Sequence, residues 1–82
     1  MALRVDGVWL SPARAYARYG RGLSPGAFRA WLDKGAGWYD GLCDYVFEGC
    51  PATRGLDHAS QNNLVDLLED FLSPRKPARA DR

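Results

Sequence analysis

The most regular stretch of the chain lies near its end. Leu64, Val65, Leu67, Leu68, Phe71 and Leu72 are apolar, and Asn63, Asp66, Glu69 and Asp70 fall between them. That spacing gathers the apolar side chains on one stripe of an α-helix. Asp57 and Ser60 each carry a side-chain oxygen suited to capping its start. Pro74 stops it. Two earlier helices are announced by a repeated signal, Ser11-Pro12 and Ser24-Pro25. A Ser oxygen accepts from the unpaired N–H groups of a first helical turn, and Pro loses nothing at the next position. Gly20 or Gly22 closes the first of these helices and Gly35 the second. The spacing predicts helices over 11–19 and 24–34 joined by a tight turn, a helix-turn-helix arrangement.

Shorter patterns suggest strands. Residues 3–10 alternate weakly, with Leu3, Val5 and Trp9 to one side and Arg4 and Asp6 to the other. Asp6-Gly7 is a turn signal, and a short strand is expected at Val8–Leu10. In residues 38–47, Asp40-Gly41 stands between aromatic and β-branched residues, which predicts a β-hairpin. Residues 49–55 read as a loop broken by Pro51 and Gly55. The fold class is therefore mainly α with a small β-hairpin (α+β). It is a compact winged helix-turn-helix-like domain over residues 1–72 with a C-terminal amphipathic helix. The basic residues 73–82 are expected to form a disordered tail.

The order Trp9-Leu10-Ser11-Pro12-Ala13, then Leu23-Ser24-Pro25 with Phe28-Arg29 and Trp31-Leu32 before Gly35, resembles the small winged-helix proteins of the excisionase type and their MerR and AlpA-like relatives. The resemblance implies a recognition helix opening at the second Ser-Pro. It places Phe28, Trp31 and Leu32 in the core and turns Gly26, Ala27, Arg29 and Ala30 toward DNA. The hairpin would then be the wing. Ala27 and Ala30 stand where the family has side chains able to read bases.

Eighty-two residues allow one small core, burying roughly 60–65% of the unfolded surface. Three Trp, four Tyr and three Phe supply much of that burial. No run is apolar enough to span a membrane, and the N-terminus lacks a signal-peptide pattern, so the expected compartment is the cytoplasm. Cys43 and Cys50 are expected to be reduced, with a disulfide across the hairpin as the alternative. With His58 they make too few ligands for zinc, so no metal or other cofactor is expected. No nucleophile–base pair or Gly-rich phosphate loop points to an enzyme, and no catalytic residue is assigned.

The net charge of +1 hides a bipolar distribution. Arg14, Arg18 and Arg21 are spaced to share one stripe. With Arg29 and Lys34 they form the candidate DNA-binding set, for which duplex DNA is the first partner and dimerisation a way to enlarge the contact. The middle of the chain is acidic. Asp40, Asp44, Glu48, Asp66, Glu69 and Asp70 are the candidate partner-binding set if the chain instead engages a basic surface in a nucleic-acid-handling complex. Two functions follow. The first is an excisionase-like or regulatory DNA-binding protein, encoded by a phage or mobile element. The second is a phage-encoded inhibitor of the anti-CRISPR or host-polymerase-modulator type.

Overall fold

The computed structural model describes residues 1–33 and 35–73. Strands β1 (Leu3–Val5) and β2 (Val8–Leu10) form an antiparallel hairpin. They are followed by helices α1 (Pro12–Tyr19), α2 (Pro25–Leu32), α3 (Trp38–Asp44), α4 (Pro51–Arg54) and α5 (His58–Leu72), with α3 running on through a π-helical turn at Tyr45–Gly49. The α+β class stands. Helix α5 is the spine, and β1, α1, α2, α3 and the π turn all pack against it. Its Leu64, Val65, Leu67, Leu68 and Leu72 are buried together with Val5, Leu10, Ala15, Phe28, Leu42 and Val46.

Both Ser-Pro signals act as the sequence suggests. Ser11 Oγ accepts from the Arg14 N–H at 3.2 Å, and Ser24 Oγ accepts from the Ala27 N–H at 3.2 Å. Of the two candidate caps on α5, Asp57 is the one used. Its carboxylate accepts from the Ser60 N–H at 3.2 Å and from the Ser60 hydroxyl at 2.7 Å. Ser60 lies inside the helix and is buried, and its Oγ accepts from the Asp6 N–H at 2.9 Å. One hydroxyl thus links the helix start to the hairpin turn.

The hairpin is where the sequence reading needs correcting. Residues 38–47 are helical, so no wing lies there. Asp40 stands in the first turn of α3, where an acid suits the helix dipole. Gly41 is there for close packing: a Cβ on it would sit 1.8 Å from the Leu32 carbonyl oxygen. Leu42, Tyr45 and Val46 carry a helical period and are buried. The hairpin forms instead at the N-terminus, with Asp6 (φ 53°) and Gly7 (φ 79°) both left-handed, as a two-residue hairpin turn requires. Arg4 pairs with Trp9 across it, so Trp9 shares a face with Arg4 and is exposed.

One helix end and one loop also differ. Helix α2 stops at Leu32, because Asp33 leaves the helix and its Oδ1 accepts from the N–H groups of Gly35 at 2.9 Å and Gly37 at 3.3 Å. The expected loop 49–55 contains α4, held from inside. Buried Thr53 donates its hydroxyl to the Val46 carbonyl at 2.9 Å, and Gln61 Nε2 donates to the Thr53 carbonyl at 3.1 Å. Among the described residues no helix is long and apolar enough to cross a membrane. The expected tail lies outside the described residues from Pro74 onward, as does Lys34.

Candidate functional site

The basic residues of the N-terminal half do not form one free surface. Arg14 and Arg18 are exposed on α1. Arg18 lies in its last turn, where a cation is favoured by the helix dipole. Arg21 takes a left-handed backbone (φ 61°) in the turn between α1 and α2, and its guanidinium carbon stands 5.1 Å from the centre of the Trp31 ring. That is cation–π distance. Arg29 is half-buried, and its Nη1 donates to the Leu72 carbonyl at 2.8 Å. It satisfies an end carbonyl of α5, so the outward, base-reading position expected for it is corrected: this guanidinium is a fastener between α2 and α5. The exposed face of α2 carries Gly26, Ala27 and Ala30.

Trp31 is also corrected. Phe28 and Leu32, four residues apart, occupy the core face of α2, which leaves Trp31 at the edge with 43% of its surface exposed. Its ring lies nearly parallel to Phe28 at 5.8 Å and edge-on to Tyr45 at 5.6 Å. Tyr45 is pinned in turn, donating its hydroxyl to the Tyr19 carbonyl at 2.7 Å. Burial, then contact with the Cys50 thiol, pushes the Tyr45 phenol well above its ordinary value. It therefore stays protonated as a donor.

Trp31 forms one wall of a cleft of about 390 Å³ between α2 and the α3–π segment. Leu32, Gly41 and Tyr45 complete the apolar lining, and Asp44 and Glu48 bring two exposed carboxylates. The lining positions Gly41, Asp44, Tyr45, Glu48 and Gly49 fall on one face of a continuous helix, three to four residues apart. The π turn widens the helix where Glu48 and Gly49 meet the cleft. Such turns recur at functional positions.

The remaining carboxylates do not line this cleft. Asp66 and Glu69 are exposed on α5, and Asp70 is half-buried there. The three share a shallow depression of about 270 Å³ with Met1 and Ser73. Across from them on α3, the Tyr39 phenol is raised by the Cys43 thiol first, and further by the Glu69 and Asp66 carboxylates. Asp40, beside Tyr39, is exposed. The six acidic candidates thus come from two helices that pack against each other. Both cysteines are half-buried free thiols. For Cys50, burial alone would raise the thiol; the neighbouring Tyr45 and Thr53 side chains and the Ala52 and Thr53 backbone outweigh it and lower it. Among the described residues no three His, Cys, Asp or Glu side chains gather closely enough to hold a metal ion.

Compared with protein-family models, curated proteins and solved structures, the chain matches none. Its function has to be read from its own residues.

Proposed function

We propose that this chain is a small, non-enzymatic protein-binding module that works in the cytoplasm and docks a basic protein surface against its acidic face. The observation that supports this reading is that Asp40, Asp44 and Glu48 of α3 and its π turn, and Asp66 and Glu69 of α5, all stay exposed on two segments that pack against each other. A surface of one sign steers an oppositely charged partner and sets its orientation. Basic surfaces of that kind belong to proteins that handle nucleic acids, so a phage-encoded inhibitor of such a complex is the form the proposal takes.

DNA binding by an excisionase-like protein is the second reading. It draws on the two Ser-capped helices, which form as expected, and on exposed Arg14 and Arg18. One titration separates the two. The full chain is titrated against a labelled hexa-arginine peptide and a labelled random duplex, at about 50 and 200 mM salt. Peptide binding that is lost on replacing Asp66, Glu69 and Asp70 by Asn, Gln and Asn, with no duplex binding, supports the proposal. Duplex binding that falls steeply with salt and is lost in Arg14→Ala/Arg18→Ala, with no peptide binding, overturns it.

A further inference from the structure

A cleft with an aromatic wall and two carboxylates lies between α2 and the α3–π segment. We propose that this cleft is the receptor for an arginine side chain of the partner, its guanidinium lying against Trp31 and paired with Asp44 and Glu48. The proposal rests on the protein-binding reading above and names the group that this reading leaves open.

Three observations carry it. First, the chemistry is complementary: a guanidinium has a flat, weakly hydrated face for an aromatic ring and a fork of N–H donors for carboxylates. The cleft offers an indole with 43% of its surface exposed and, four residues apart on the facing helix, two exposed carboxylates. Second, the chain already binds one guanidinium at the same indole. Arg21 reaches Trp31 from the α1–α2 turn and is not part of the cleft lining. Third, the cleft is built by close packing. Gly41 lets α2 and α3 touch at Leu32, and the π turn carries Glu48 and Gly49 to the other end. At about 390 Å³ the space suits one long side chain, near the lower end of the roughly 300–1,000 Å³ of small-molecule pockets.

The test is a titration of the ¹⁵N-labelled full chain with the hexa-arginine peptide, read as shifts of individual amide and indole N–H signals. Hexalysine is the comparison. The expected result is that hexa-arginine shifts the Trp31 indole and the amides of Gly41, Asp44, Glu48 and Gly49. Asp44→Asn/Glu48→Gln, whose spectrum should otherwise match the parent, should weaken binding about tenfold. Shifts confined to Asp66, Glu69 and Asp70, with the double variant binding as the parent does, would overturn the cleft assignment and leave the acidic-face reading standing. Equal affinity for hexalysine would overturn the guanidinium preference. Absence of binding to either peptide would remove both the inference and the reading beneath it.

Discussion

Replacing Gly41 by Ala sets two physical effects against each other, and the structure decides which wins. Gly in the interior of a helix costs about 1 kcal/mol relative to Ala, so helix propensity alone makes Gly41→Ala stabilising. The packing says the opposite. An added Cβ would lie 1.8 Å from the Leu32 carbonyl oxygen and 2.7 Å from its carbon, both backbone atoms that cannot rotate away. Helices α2 and α3 would have to part by more than an ångström, carrying Leu42, Tyr45 and Val46 off their partners in the core. Overpacking of this kind costs roughly 1–3 kcal/mol, and here it acts on backbone, so the upper end applies; less the propensity gain, a net loss of about 2 kcal/mol is expected. For a domain this small that lowers Tm by about 8–16 °C. Gly26 supplies the control: it lies in the first turn of α2 with nothing within 4 Å of its would-be Cβ. Gly26→Ala should hold or raise stability by a few tenths to about 1 kcal/mol. Urea unfolding followed by far-UV circular dichroism gives both numbers. A Gly41→Ala protein as stable as the parent would refute the close contact and restore Asp40-Gly41 as a turn.

Three further outcomes follow from other contacts. Arg29→Ala should lose about 1 kcal/mol in urea unfolding, because it frees the Leu72 carbonyl at the end of α5; an unchanged midpoint would return Arg29 to the surface. Thr53→Val keeps the shape but leaves the buried Val46 carbonyl without its donor, so a loss of about 1–3 kcal/mol is expected in the same assay. Tyr45 governs alkaline stability. Its folded phenol is raised above 10, so above that pH the native state holds a proton the unfolded chain has released. Its contribution is complete below pH 10 and declines as pH rises further, by about 1.4 kcal/mol per unit while only the unfolded form ionises. Stability measured at about pH 8 and pH 11 should therefore fall less in Tyr45→Phe than in the parent, and equal falls would refute the assignment.

How far the sequence could be read depends on whether a signal was local. The Ser-Pro starts, the Asp57 cap and the stripe on α5 are made within a few residues, and each forms where its pattern places it. Asp40-Gly41 misled because Gly serves two purposes, a left-handed turn or a close approach, and only the neighbour Leu32 distinguishes them. Trp9 went to the wrong face for a countable reason: a two-residue turn pairs Val5 with Val8, so odd positions on β1 share a face with even positions on β2. The cleft was hidden by the same misreading of 38–47. Once that stretch is a helix, Gly41, Asp44, Tyr45 and Glu48 fall on one face. Arg29 had no local signal at all, since its partner Leu72 lies 43 residues away.

The division of the arginines bears directly on which partner the chain suits. The candidate DNA-binding set of Arg14, Arg18, Arg21, Arg29 and Lys34 would suggest five phosphate contacts, and Lys34 lies outside the described residues. The structure commits Arg29 to the end of α5 and sets Arg21 against the Trp31 ring while leaving it exposed, with Arg14 and Arg18 exposed on α1. Two or three phosphate contacts give a salt slope of only about −2 to −3 in log K against log salt, against about −5 to −9 for the six to ten contacts of a firmly held DNA-binding protein. The exposed face of α2 offers Gly and Ala to the bases, and neither donates from its side chain. The acidic side loses nothing comparable. Asp40, Asp44, Glu48, Asp66 and Glu69 all remain exposed on two adjoining helices, with Trp31 and Tyr39 exposed beside them. Folding thus draws Arg29 inward and sets Arg21 against Trp31 while leaving most of the acidic set exposed, which supports the proposal of a basic protein over a phosphate backbone as the partner.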